Sequence, residues 1–409
     1  MKCTFILSAA AAGGLAVAPL AHAWGAAGHE IVATIAQVYL HPTALANVCA
    51  ILFPTTSPTS PSCHISRIAS WADQVRRQPQ YRRTGPLHYV GAVDDHPSQS
   101  CAFPGARGWN GKTDENVLGA IRNTTGILLE YTEGTYSRET AEEALKFLVH
   151  FVGDMHMPLH LTGRERGGNG ARVAFDGRVT NLHSLWDSLL IAQALRTIPY
   201  NYTRPFPRGS TKVDVESHLR GAIYDPYVRR LLYEGMGVGA ETGRFEGQAY
   251  DWLTCPTPES SAPQALWSTL QTFFGLNRLG DETRWDDGVL CPYAWGKELH
   301  KLNCEFPVWP AELDLPPYGN TSYLRSAHGA EDVHRHDHED PTGFFARPRQ
   351  PHPELFELDT PEYAGRLRSE WVVERLMATA GVRLAGLLNG LFMDPDSAHE
   401  SLTIPLIAL

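Results

Sequence analysis

The sequence predicts a mainly α-helical fold, and two patterns support this prediction. Apolar residues recur at three-and-four spacing in four long segments, residues 30–40, 140–156, 182–195 and 370–392, as in helices that bury one face. Strand-like alternation is rare, and residues 171–177 are its best example. Hydrophobic residues make up 43% of the 409-residue chain. We therefore expect one helical domain over residues 24–396, followed by a short tail, 397–409.

Residues 1–23 have the features of a signal peptide. A basic start at Lys2 precedes an Ala-rich apolar run, and Ala21-His22-Ala23 has the small-x-small pattern that signal peptidase cleaves. A membrane anchor is the alternative, but two glycines and a proline interrupt the run, which is short for a span. The final apolar octapeptide is too short for a lipid-anchor signal. We expect a secreted, extracellular protein whose mature chain begins at Trp24.

Cysteine content agrees with export. Beyond the signal peptide the chain has six cysteines, and an even number in an exported protein favours disulfides, although many pairings are possible. Three sequons, at Asn123, Asn201 and Asn320, are compatible with surface glycans. None of the cysteines is spaced as CxxC, so a thiolate metal site is not expected.

The acidic balance restricts how the protein binds partners. The formal net charge is −10, whereas proteins that bind nucleic acid by neutralising many phosphates are normally basic. The balance argues against a broad electrostatic nucleic-acid surface. Local cationic sites and bound metal ions remain compatible with it.

The chemistry-bearing residues are histidines and aspartates at helical spacing. His150 and Asp154 lie four residues apart, and His183 and Asp187 repeat that spacing on a second helix. Pro158 ends the first helix, so His160 can fold back toward the same face. One such pair is common on solvated helices. Two pairs on apolar helices need buried partners, and imidazole with carboxylate is a zinc ligand set.

Six motifs occur in an order that resembles one known family. They are WGAAGHE, SWADQVR, LHYV, HFVGDMHMPLH, RGGNG and NLHSLWD, within residues 24–187. The sequence resembles the zinc-dependent single-strand-specific nucleases and 3′-nucleotidases of fungi and plants. That family has a helical phospholipase C/nuclease-like fold around a cleft with three zinc ions, stapled by disulfides. Residues 205–290 and 321–358 do not match it.

The resemblance implies a set of ligands for three Zn²⁺. Trp24 would offer its α-amine and carbonyl oxygen to one ion, with His29 as a side-chain ligand. Asp154 would bridge this ion and a second. The second ion would be held by Asp73, His88 and His150. The third would be held by His160, His183 and Asp187. Alone, Trp24 reads as an apolar anchor and Asp73 as a surface acid.

The resemblance also implies how the site works. A zinc-bound water would attack phosphorus, Arg76 would neutralise charge in the transition state, and Tyr89 would stack on a base. Asn169 would lie in a substrate-binding turn. The substrates would be single-stranded DNA and RNA, cut to 5′-phosphorylated products, and 3′-nucleotides. A family acid that contacts the base is replaced here by Gly91.

Several expectations stay open at this stage. Asp94 or Asp95 is a possible replacement for the missing acid, and His156 reads as structural because it faces away from Asp154. Family pattern pairs Cys101 with Cys304, proximity pairs Cys49 with Cys63, and elimination leaves Cys255 with Cys291. We expect a monomer with no membrane or protein partner. A zinc phospholipase C and a non-catalytic zinc-binding protein are the alternatives. Residues 321–358, with His328, His334, His336 and His338, read as an inserted flexible loop, either solvated or metal-loading.

Overall fold

A computed structural model describes residues 24–55, 63–104, 115–255, 286–318 and 355–394, apart from positions 93, 208, 212, 288 and 307. The fold is mainly helical, as the sequence predicts. The expected signal peptide, the third sequon, the four loop histidines and the C-terminal tail lie outside the described residues. Within them, Asn123 and Asn201 are exposed. No helix of this part of the chain is long and apolar enough to cross a membrane.

Helices account for most of the described secondary structure. The α-helices are α1 (Ala26–Val38), α2 (Pro42–Leu52), α3 (Trp71–Val75), α4 (Val117–Thr132), α5 (Arg138–Met155), α6 (Leu182–Ser184), α7 (Leu190–Arg196), α8 (Asp225–Arg230), α9 (Gln248–Leu253), α10 (Pro292–His300), α11 (Leu302–Glu305), α12 (Arg366–Ser369) and α13 (Val372–Phe392). Short 3₁₀-helices cover Ile65–Ile68, Pro79–His88, Pro158–Leu161, Tyr200–Thr203, Glu216–His218 and Ala311–Asp314. Single π-turns cover Leu185–Leu189, Leu231–Gly235 and Pro361–Gly365.

Helix α5 lies at the centre of the core. It packs against α1, α2, α3, α4 and α13. The Ser137 hydroxyl caps its start by accepting from the Thr140 N–H, and Glu139 complements the helix dipole there. From Phe147 to Met155 every residue is buried, because neighbours surround this half of the helix. Polar side chains in that stretch therefore need buried partners.

The strand predicted over residues 171–177 forms half of a hairpin. Strands β1 (Arg172–Phe175) and β2 (Arg178–Asn181) pair antiparallel. Asp176 and Gly177 form the two-residue turn with φ of 51° and 66°, the left-handed conformation that an Asp-Gly hairpin turn requires. The Glu357 carboxylate accepts from both turn N–H groups, which holds the hairpin against the C-terminal part of the chain.

All three expected disulfides are present. Cys49 pairs with Cys63, Cys101 with Cys304 and Cys255 with Cys291. The second closes the longest loop, with a sequence separation of 203. Its Cys304 lies on α11, whose Asn303 side chain also donates to the Pro158 carbonyl at 2.7 Å. The disulfide and this hydrogen bond together hold α11 near the segment that follows α5.

Candidate metal centre

The C-terminal half of α5 presents the predicted His-x3-Asp pair on one buried face. His150 and Asp154 are both 0% exposed, with 3.3 Å between Nε2 and Oδ2. The helix ends one residue later, and Pro158–Leu161 turns back, so that Nδ1 of His160 lies 4.0 Å from Oδ1 of Asp154. The i, i+4 spacing and the proline thus fix these three positions locally.

Five side chains from four elements meet around Asp154, and we call them the inner cluster: His29, Asp73, His88, His150 and Asp154. The Asp154 carboxylate lies 3.3 Å from Nε2 of His29 and 2.9 Å from Nδ1 of His88. Asp73 lies 4.0 Å from Nδ1 of His88 and 3.8 Å from Nε2 of His150. Asp154 therefore faces three imidazoles and joins ligands from α1, α5 and the Pro79–His88 segment.

Three further side chains form the outer cluster: His160, His183 and Asp187. Their candidate ligand atoms all lie within 4.8 Å of one another. The rings of His160 and His183 stack at 5.0 Å, and Nε2 of His183 is 3.3 Å from Asp187. Asp187 belongs to the π-turn that interrupts the helix from α6 to α7. Such turns often mark functional positions.

Backbone carbonyls fix the orientation of three of the histidines. His150, His160 and His183 each donate from Nδ1 to a main-chain oxygen, at 2.7, 2.5 and 2.7 Å, respectively. The acceptors are the carbonyls of Ala69, His88 and Gly167. A proton on Nδ1 leaves the lone pair on Nε2, which is the arrangement usual for metal-binding histidines.

Buried polar atoms without hydrogen-bond partners converge in both clusters. Among the described residues they include Nε2 of His150 and His160, Oδ1 of Asp154 and both carboxylate oxygens of Asp187. Leaving such atoms unpaired costs about 1–3 kcal/mol each. Metal ions would satisfy several at once, and imidazole with carboxylate suits zinc. The residues therefore fit a metal group.

Electrostatics point the same way. Burial lowers the pKa of His150 and of His183 to about 3, and the neighbouring His160 contributes at His183. Both imidazoles are thus neutral, the form that binds metals. Burial raises the pKa of Asp187 well above its usual range, and the nearby acids add to the shift. At Asp154 burial acts in the same direction, but the facing histidines outweigh it and hold the pKa well below normal.

Two glycines make room for these ligands. A Cβ on Gly153 would lie only 2.6 Å from Nδ1 of His29, so α1 can approach α5 only where a side chain is missing. Gly167 has a φ of 67°, and a Cβ there would lie 2.6 Å from the Leu159 carbonyl. Its own carbonyl holds His183. In the sequence, the role of Gly153 is indicated only by the presence of a glycine inside a predicted helix.

Comparison with known proteins identifies the region that carries this arrangement. Residues 24–216 match the S1/P1 Nuclease family. The match covers 193 of the chain's 409 residues. The chain is 37% identical over 180 residues to Nuclease S1 of Aspergillus oryzae, covering 44% of this chain and 58% of that protein. It is 38% identical over 189 residues to Endonuclease 4 of Arabidopsis thaliana, covering 44% and 60%.

A third relative agrees. Nuclease P1 of Penicillium citrinum is 38% identical over 169 residues, which are 41% of this chain and 58% of that protein. The chain thus spans about three fifths of the length of these relatives. The matched region contains both clusters, whereas the described residues beyond 216 lie outside the match.

The start of the matched region lies beside the outer cluster. Trp24 is fully buried, and the Gly25 N–H donates to the Asp187 carbonyl at 2.7 Å. A Cβ on Gly25 would lie 2.8 Å from the Ser188 hydroxyl, so the chain start approaches this helix closely. The residue after Trp24 thus contacts Asp187 of the outer cluster, and the ligand role of Trp24 stays a prediction.

Two predicted substrate-facing residues closely follow ligands of the inner cluster along the matched region. Arg76 lies one turn beyond Asp73, with Nη1 3.3 Å from its carboxylate, and its side chain is 23% exposed. Tyr89 follows the buried His88 and is 42% exposed. Arg76 therefore combines access to solvent with contact to a ligand, and Tyr89 is exposed one residue after a ligand.

Other predicted residues have defined structural partners. Asp95 is buried and accepts from the Ala102 N–H and from Nε2 of His300 at 2.7 Å, so it does not replace the missing base-contacting acid. The Asn169 side chain donates to the Arg166 carbonyl within its own turn. His156 is structural, as predicted. Its Nδ1 donates to the Val152 carbonyl and its Nε2 accepts from Arg383. Sequence reasoning missed Arg383, because no local pattern connects positions 227 residues apart.

Proposed function

We propose that this protein is a zinc-dependent, single-strand-specific endonuclease with 3′-nucleotidase activity. It hydrolyses phosphodiester bonds of single-stranded DNA and RNA and leaves 5′-phosphorylated products. The observation that carries the proposal is the pair of adjoining buried His/Asp clusters, whose unpaired ligand atoms converge. The relatives' names, nuclease and endonuclease, support the reaction class.

Three zinc ions would account for the two clusters. In the inner cluster, Asp73, His88 and His150 would hold one ion and His29 another, and Asp154 would serve both. The outer cluster would hold the third through His160, His183 and Asp187. Cleavage of the signal peptide would free the Trp24 amine as a further ligand beside His29. An α-amine titrates near pH 8, so a dication displaces its proton at small cost.

The chain's own groups would position the substrate and compensate its charge. Zinc in these clusters would supply Lewis acidity toward the phosphate and activation of water. Arg76 would donate to a non-bridging phosphate oxygen, since its guanidinium is partly exposed at the edge of the inner cluster. Carbonyl-anchored imidazoles would keep the ligands in place without reorganisation.

Base stacking on Tyr89 would explain the preference for single strands. An exposed aromatic ring one residue after the ligand His88 would give a base a π-face to stack on, whatever the base's identity. Bases in a duplex are already stacked and paired, so they would first have to be released. Asn169 would contact the substrate from the turn in which it lies, after its side chain gives up the hydrogen bond to the Arg166 carbonyl.

The compartment follows from the same set of features. A cleaved signal peptide would both export the protein and create the Trp24 amine. Three disulfides among the described residues suit an oxidising environment. We propose an extracellular enzyme that acts as a monomer.

Hydrolysis assays with protein that begins at Trp24 test the proposal. Single-stranded DNA, single-stranded RNA and a 3′-mononucleotide are incubated with native protein, EDTA-treated protein and Asp154→Asn. Zinc-dependent release of 5′-mononucleotides from the strands, lost in the variant, is the expected result. Zinc-loaded protein that cleaves none of the three would refute it. Release of phosphocholine from lecithin would then favour a phospholipase C.

A further inference from the structure

Positive charge is concentrated in the segment that joins two ligands of the inner cluster. Residues 74–93 contain four arginines and neither aspartate nor glutamate, although the whole chain has a net charge of −10. Arg76 pairs with Asp73. The other three, Arg77, Arg82 and Arg83, are exposed. None of them forms an ion pair with any of the described residues.

Both ends of this segment lie at the metal centre. Asp73 precedes it and His88 closes it, with 4.0 Å between their ligand atoms. The 3₁₀-helix Pro79–His88 leads into His88. At a rise of about 2 Å per residue, Arg82 and Arg83 lie on the order of 10 Å along the helix from His88. Arg77 directly follows Arg76 at the other end.

Tyr81 attaches the segment to the core. The Tyr81 ring contacts Trp71 edge-on at 5.4 Å, and its hydroxyl donates to Glu143 at 2.7 Å. Thr84 donates to the Tyr81 carbonyl. Glu143 therefore accepts a hydrogen bond from a tyrosine of this segment and forms no ion pair with Arg77, Arg82 or Arg83. The arginines keep their charge available to solvent on an ordered backbone.

We infer that Arg77, Arg82 and Arg83 bind the phosphate backbone of a strand whose scissile phosphate lies at the inner cluster. The inference rests on the proposed function and extends it: a polynucleotide substrate is held in addition through neighbouring phosphates that reach these arginines. A mononucleotide has no such phosphates. The acidic remainder of the chain opposes this only weakly, because charges beyond about 8 Å are screened at physiological ionic strength.

Salt dependence gives the expected size of the effect. Each phosphate neutralised on a single strand contributes about −0.7 to the slope of log affinity against log salt. Three contacts contribute about −2, so raising the salt from about 50 to 200 mM weakens this part of the binding roughly 15-fold. Replacing all three arginines with glutamine should remove this contribution.

Fluorescence anisotropy with a labelled oligothymidylate tests the inference independently of catalysis. Binding is measured in the Asp154→Asn background, which prevents cleavage, over a series of salt concentrations. Arg77→Gln/Arg82→Gln/Arg83→Gln is compared with the parent protein and with the corresponding lysine variant. Arg375→Gln is the matched control, because Arg375 is also exposed but lies on α13.

The glutamine variant should show weaker binding and a slope reduced in magnitude by about 2, whereas the lysine variant should retain most of the slope. In protein that keeps Asp154, the kcat/KM of the glutamine variant for a long strand should fall relative to its kcat/KM for a 3′-mononucleotide. An unchanged slope, or an equal change in Arg375→Gln, overturns the inference. Protein that binds strands with the expected slope but cleaves none refutes the proposed function instead.

Discussion

Replacing Gly153 with alanine should disable the inner cluster without unfolding the protein. The new Cβ would lie 2.6 Å from Nδ1 and 3.0 Å from Cε1 of His29. The ring cannot retreat easily, since one of its faces stacks on His150 at a centroid distance of 3.8 Å. Restoring an ordinary contact near 3.4 Å requires a shift of about 0.8 Å. A misplacement of about 1 Å near reacting groups can cost about 100-fold in rate.

The change in stability should be small because two effects oppose each other. Alanine favours a helix interior over glycine by about 1 kcal/mol, while overpacking costs about 1–3 kcal/mol. The assay combines kcat/KM on single-stranded DNA with zinc content by mass spectrometry and a denaturation curve. Gly126→Ala is the control, because a Cβ at that α4 position meets nothing within 4 Å. Full activity and full zinc content in Gly153→Ala would show that His29 is not a ligand.

Three further predictions concern the disulfides, the acid response and the base contact. Cys304→Ser opens a loop with a separation of 203 residues and should lower the free energy of unfolding by about 5 kcal/mol through loop entropy. Cys63→Ser, with a 14-residue separation, should lower it by about 3 kcal/mol. Equal losses in urea melts would contradict this difference. Protein stripped of zinc should lose stability as the pH falls below about 6.5, because His150 and His183 have a folded pKa of about 3. Each contributes up to about 1.4 kcal/mol per pH unit, and the raised pKa of Asp187 offsets only part of this loss. Melts at pH 7 and 5 check the sign, and greater stability at pH 5 would refute it. Tyr89→Ala should raise KM for single-stranded DNA roughly 10-fold with kcat preserved, whereas Tyr89→Phe should match the parent; a loss confined to kcat would contradict a stacking role.

Local spacing made part of the site predictable. His150 and Asp154, like His183 and Asp187, meet because residues four apart share a helix face. The second pair keeps this proximity although a π-turn intervenes. The buried apolar helices and the Asp-Gly hairpin turn also follow from patterns that act over a few residues.

Other parts of the site depend on contacts between distant segments. The carbonyls of Ala69, His88 and Gly167, which orient three histidines, have no side chain and no motif of their own. Asp95 was a candidate for base recognition, yet its partner is His300, 205 residues away. Position in the chain could not distinguish an acid near the cleft from one that is fully hydrogen-bonded in the core.

Anomalous diffraction at the zinc edge, from crystals of protein that begins at Trp24, tests the metal assignment directly. We expect three anomalous peaks: two flanking Asp154 within the inner cluster and one among His160, His183 and Asp187. Peaks elsewhere, or fully zinc-loaded protein without a peak at Asp154, would contradict it.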